Sequence, residues 1–214
     1  MLISLAQTQP QLFILLVFSL MFALTFHEFA HAYVAYLCGD PTAKMNGRMN
    51  INPLAHLDLF GSLMILFVGF GYAKPVPVDP RHFKSRHGEF YVAAAGPGMN
   101  LLLTIAGGIL FQIMAKTGLF LGGSVPVGDL LYLFMFISMN LCVFNQIPLG
   151  PLDGSYVLPR LLPVDLRIRY DRWNQQYGTY VVLGLFLVSY ALPGVNPFRA
   201  ITVISKSFIG FLLP

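Results

Sequence analysis

Five consecutive residues, His27-Glu28-Phe29-Ala30-His31, concentrate the reactive chemistry of this 214-residue chain. At 3.6 residues per helical turn, two histidines four apart lie one above the other on one face, where their imidazoles can share a Zn²⁺ ion. Glu28 falls about 100° further round, beside such an ion rather than on it. That suits a general base acting on a water whose pKa zinc lowers to about 7. With 5 histidines in the chain and two glutamates, the pattern arises by chance about once in a thousand such sequences. A catalytic zinc takes three protein ligands and keeps one position open. His56, Asp58, Asp129 and Asp153 are the candidates for the third.

The elements that must position these groups are apolar. Hydrophobic types make up 56% of the chain and charged types 10%, against roughly 25% charged in a soluble domain. Mean hydropathy is +0.69. Disorder is excluded, since it needs low hydrophobicity and high charge. The composition describes an integral membrane protein forming a single domain over residues 1–214. The net charge of +4 then reads as topology, not nucleic-acid binding. Cys38 and Cys142 are too few for a disulfide scaffold and read as buried thiols. In lipid, two histidines cannot fall back on water, which argues against a purely structural pair.

Residues 12–38 form an apolar run of 27 residues holding the HEFAH pentapeptide, longer than the roughly 20 needed to span. No Lys or Arg precedes Lys44, so the run reads as a retained span and not a signal peptide. Gly39-Asp40-Pro41 ends it. Asn46-Gly47 predicts a hairpin turn within 42–56. Residues 59–72 are too short to span comfortably and read as re-entrant or as a short packed helix. Residues 73–89 are a basic, Pro-rich aqueous loop. Spans follow over 90–115 and 130–147, separated by a Gly-rich turn at 118–128. Residues 148–154, PLGPLDG, cannot be regular helix. A basic stretch over 155–174 precedes apolar segments at 177–192 and 201–213. The expectation is an all-α polytopic fold of five to six membrane-embedded helices, with a small β-hairpin or re-entrant element after the first.

The loops 40–58, 73–89 and 154–174 carry most of the Lys and Arg, which by the positive-inside rule makes them cytoplasmic. Asp153 enters from that side, and His31 lies nine residues before Asp40, about 13 Å from that helix end. Irregular backbone at membrane depth is tolerated where it lines a cavity, so Asp153 could reach the histidines; the bland alternative is an Asp-Gly turn at the membrane surface. Asn100, Asn140 and Asn145 are polar groups in apolar helices. Each could donate to an oxyanion, orient a zinc histidine, or bond one helix to another. Packing is the default for Asn140 and Asn100, and the site for Asn145. His56 reads as a turn residue, and His82 and His87 as solvated. Residues 48–52 could offer a strand edge to an unwound peptide, or be plain loop.

HEFAH in the first apolar helix, GRMNINPLAHLD after it, AAAGPGMN in a middle helix and FNQIPLGPLDG after a later one together resemble the site-2 proteases, intramembrane zinc metalloproteases. The resemblance covers nearly the whole chain, in a minimal form with no room for a PDZ domain between the catalytic segments. It implies one Zn²⁺ per chain on His27, His31 and Asp153, with Glu28 as catalytic base. It also implies Asn145 as a group that positions substrate or steadies the oxyanion. The implied substrates are transmembrane proteins cut within the bilayer of a prokaryotic cell membrane, with the site toward the cytoplasm. Lipid is the expected surrounding, nucleic acid is not a partner, and a homo-oligomer stays open. Two rivals use the same residues: a metal-ion transporter, disfavoured by the lack of a repeat and of a second polar half-site, and an inactive membrane adaptor, disfavoured by the intact Glu28. A hydrolase acting on soluble peptides is a third.

Overall fold

The computed structural model describes residues 2–68, 71–118, 127–192 and 194–213. These residues are mostly helical and contain no β-strand. A short α1, Leu2–Thr8, is followed by the long α2, Pro10–Leu37. Pro10 sits at the first turn of α2, where its missing N–H costs nothing. At the other end Gly39 takes φ +108°, and a side chain there would meet the His82 carbonyl at 2.9 Å. The predicted stop at Gly39-Asp40-Pro41 is where the helix ends.

Two single-turn helices come next, α3, Thr42–Met45, and α4, Pro53–His56. The expected β-hairpin around Asn46-Gly47 is not among the described residues, and residues 48–52 form no strand. The physical reason is local. Asp40 Oδ1 accepts from the Thr42 N–H at 3.0 Å and starts a helical turn. Asn46 donates back to the Thr42 carbonyl at 2.8 Å, and Gly47, at φ +67°, closes that turn. The Asn-Gly pair therefore ends a helix and does not reverse a ribbon.

The helix α5, Leu59–Val68, lies in a segment whose ends meet. Leu57 and Ala73 form an isolated antiparallel bridge, and the Lys74 N–H donates to the His56 carbonyl at 2.9 Å. The long α6, Gly88–Thr117, and α7, Val127–Asn145, follow. Most of the predicted Gly-rich turn at 118–128 lies outside the described residues. After the Pro/Gly segment come α8, Gly154–Val157, α9, Val164–Trp173, α10, Thr179–Ala191, and α11, Arg199–Leu212.

Helices α2, α6 and α7 are long and apolar enough to cross a membrane. The helices α5, α10 and α11 have 10, 13 and 14 residues. At 1.5 Å per residue α11 is about 21 Å long, short of the roughly 30 Å hydrocarbon core, whereas α10 continues α9 without a break through a π-helical turn over Asn174–Gly178. Among the described residues, three helices reach spanning length.

The three long helices pack on one another, and α11 closes against α6 and α7. Small residues let them approach: a Cβ on Gly107 of α6 would meet Met135 Cγ of α7 at 2.7 Å. Met135, Met139 and Ile209 form the buried core between α7 and α11. Ile14, Phe18, Leu102, Ile109 and Ile113 face outward on α2 and α6, as lipid-facing side chains do.

Candidate metal centre

The buried face of α2 carries Ala23, His27, Ala30 and His31 toward the interior. Opposite it, after α7, the chain breaks at Pro148 and doubles back. Gly154 makes the return tight: a Cβ there would collide with the Gln146 carbonyl and lie 2.7 Å from that of Ile147. Two side chains fix the loop from outside. Tyr170 donates its hydroxyl to the Pro148 carbonyl at 2.9 Å, and Asn174 Oδ1 accepts from the Gly150 N–H at 2.8 Å. The result carries Asp153 back to the histidines on α2.

His27 Nε2 and His31 Nε2 lie 3.1 Å apart. Asp153 Oδ2 is 3.2 Å from the first and Oδ1 is 3.4 Å from the second. A tetrahedral zinc with bonds of about 2.0 Å has ligand–ligand edges of about 3.3 Å. The His27–His31 separation is close to such an edge, and the Asp153 carboxylate lies against both rings through its two different oxygens, with one ligand atom from each residue within 4.8 Å of the others. Among the described residues, this trio is the cluster of His, Cys, Asp and Glu that could hold a metal ion.

Two further observations fit a cation. Asp153 Oδ2 is buried and accepts no hydrogen bond, although it faces a ring nitrogen. Gly96 of α6 leaves the space in front of the imidazoles open. A Cβ there would overlap His31 Nε2 and come within 2.6 Å of His27 Cε1 and 2.7 Å of His27 Nε2. On His31 the opposite nitrogen is also committed: Nδ1 donates to the Val92 carbonyl of α6 at 2.7 Å. A carbonyl only accepts, so Nε2 keeps its lone pair for a metal.

Glu28 is half-buried on the adjacent face of α2. Its charge reaches Arg48, which is 7% exposed and donates to the carbonyls of Lys74 at 2.5 Å and Pro75 at 3.0 Å. Burial pulls the Arg48 guanidinium below its ordinary pKa, and Glu28 opposes that. Glu89, in the first turn of α6, pairs with Arg160 just beyond the Asp153 segment. That ion pair ties α6 to the returning chain.

Of the other expected residues, Asn100 reaches a ring of the trio, and Asn140 and Asn145 bond within their own helix. Asn145 donates from Nδ2 to the Leu141 carbonyl of its own helix at 3.0 Å, and Asn140 does the same to Phe136 at 2.6 Å. Asn100 is fully buried, with Nδ2 3.2 Å from His27 Nδ1. His56 stands outside the cluster and donates from Nε2 to the Asn50 carbonyl at 2.7 Å. His82 is half-exposed, but its Nδ1 lies 3.2 Å from buried Asp40, so it is more than a solvated loop residue. Sequence reasoning missed Val92, Tyr170 and Asn174, and it reads Gly96, in the Gly-Pro-Gly of an apolar run, only as permitting close helix approach.

Comparison with known proteins adds an independent line. Residues 15–125 match peptidase family M50. The chain is 41% identical over 191 residues to "Putative zinc metalloprotease YwhC" of Bacillus subtilis strain 168, covering 86% of this chain and 87% of that one. Rip2 of Mycolicibacterium smegmatis and Rip2 of Mycobacterium tuberculosis strain H37Rv carry the same description. They are 28% and 26% identical, each over 82% of this chain and 67% of its own length. No solved structure matches the chain.

Proposed function

The chain belongs to peptidase family M50, the site-2 protease family, and is a zinc-dependent protease; from that premise we propose that it hydrolyses peptide bonds of transmembrane substrates within the bilayer. The carrying observation is the His27–His31–Asp153 trio at 3.1–3.4 Å, with both histidines on a helix of spanning length and Asp153 brought to them by the segment after α7. His27 lies ten residues before the end of α2 at Leu37, a rise of about 15 Å, which is well below the surface of a roughly 30 Å hydrocarbon core.

One zinc per chain would be held by His27 Nε2, His31 Nε2 and the Asp153 carboxylate. Bound there, the ion supplies Lewis acidity, sharpening a water as nucleophile and polarising the scissile carbonyl. Glu28 takes the proton from that water and returns it to the leaving amine. Asn145, at the end of α7, holds the unwound substrate backbone or donates to its carbonyl oxygen. The substrate must unwind first, because a helical peptide bond is shielded by its own hydrogen bonds. The basic loops 40–58, 73–89 and 154–174 face the cytoplasm, so the site opens toward that side.

The test is Glu28→Gln in purified protein reconstituted with a model transmembrane substrate. The variant keeps its zinc and loses cleavage by a factor of about 10²–10⁴, the usual contribution of a general base. Cleavage at the parental rate rejects the mechanism.

A further inference from the structure

Helix α6 backs both histidines, and its two holds differ. The Val92 carbonyl can only accept, so His31 carries its proton on Nδ1 and offers Nε2. Behind His27 stands an amide, with Asn100 Nδ2 3.2 Å from His27 Nδ1. In that orientation the amide donates to Nδ1. The ring proton would then sit on Nε2, pointing at Asp153 and into the space a metal needs. The same orientation leaves Asn100 Oδ1 buried with no hydrogen-bond partner, in a side chain 0% exposed.

The oxygen and nitrogen of an asparagine amide are nearly equal in size, and a half-turn about the last side-chain bond exchanges them. A metal on Nε2 decides between the orientations. With Nε2 ligated, neutral His27 carries its proton on Nδ1 and needs an acceptor there. The polar group at that nitrogen is Asn100, and its oxygen is the atom lacking a partner.

We infer that Asn100 is a positioning residue of the metal centre: its side-chain oxygen accepts the His27 Nδ1–H and holds the ring in the tautomer that presents Nε2 to zinc. This rests on the metal centre proposed above. It makes α6 the common support of both imidazoles, through a backbone carbonyl at Val92 and a side-chain carbonyl two turns later at Asn100.

The test is zinc affinity of the full chain in detergent, by competition with a chromophoric chelator, for the parent, Asn100→Ala and Asn100→Asp. Alanine removes the acceptor and weakens zinc by about 10–100-fold, the usual effect of losing a partner behind a ligating histidine. Aspartate accepts but cannot donate when ionised, so it binds zinc as tightly as the parent or more tightly. A role in helix packing alone, or one that used the amide as donor, would not give this rescue. Parental affinity in Asn100→Ala, or an aspartate variant as weak as alanine, overturns the inference while leaving the zinc site standing. If Asn100→Ala does not fold, Asn100→Asp decides alone: parental affinity supports the inference, and a loss of about tenfold or more overturns it. A parent that holds no zinc overturns the metal centre and this inference together.

Discussion

Gly96 shows how finely the centre is built at the scale of single residues. It has no side chain because the space a Cβ would take belongs to the ligating edges of His27 and His31. Gly96→Ala is therefore expected to cost at least about tenfold in zinc affinity, the scale seen when the surroundings that orient a ligating histidine are disturbed. Alanine is also the better helix former, so general weakening of α6 would not explain the loss. Chelator competition reads the affinity, and an alanine variant with parental affinity would refute the cradle. The two histidines were legible from spacing alone, because four residues is one helical turn. Asp153 is one of four open candidates on the residues alone, and only the resemblance of the whole motif set singles it out, since nothing local says where a broken segment returns. The Val92 carbonyl was not legible at all: every residue has one, and only packing decides which one meets an imidazole.

Between elements, the C-terminal end of α2 is clasped to the 73–89 loop by Asp40. This buried carboxylate accepts from the Thr42 N–H at 3.0 Å, the Thr42 hydroxyl at 2.5 Å and the Asp79 N–H at 2.7 Å, with His82 Nδ1 at 3.2 Å. Burial alone would raise the Asp40 carboxyl, but these donors hold it below the ordinary carboxylate range. Its contribution is thus fully present above the unfolded pKa near 3.9 and is lost only as pH falls through a lower folded value. Protonation of Asp40 should therefore not loosen the 73–89 loop between pH 8 and pH 5, both well above about 3.9, which protease resistance of a His82→Gln variant reads without the neighbouring imidazole. Asp40→Ala should loosen the loop and cost about 1.5–3 kcal/mol, the range for a bond to a charged acceptor, read by proteolysis and unfolding in detergent. An unchanged loop in that variant would contradict the clasp. The same carboxylate explains why a hairpin was expected and a helical turn formed. Asn-Gly is ambiguous in sequence, and the deciding bond comes from Asp40, outside the dipeptide.

Over the whole molecule, three spanning-length helices stack around a site assembled from stretches of chain more than a hundred residues apart. The apolar composition and run lengths made the membrane class and the three long helices readable. The shorter α5, α10 and α11 were harder, because an apolar run of 10 to 16 residues has the same composition whether it crosses, dips or packs. Packing settles that, and packing is not written in hydropathy. The central claim is that His27, His31 and Asp153 together hold one zinc ion. Elemental analysis of purified parent and Asp153→Ala protein tests it most directly. The account predicts one zinc per chain in the parent and its loss from the variant after mild chelation. A parent without zinc, or an Asp153→Ala protein that keeps a full equivalent, would contradict it.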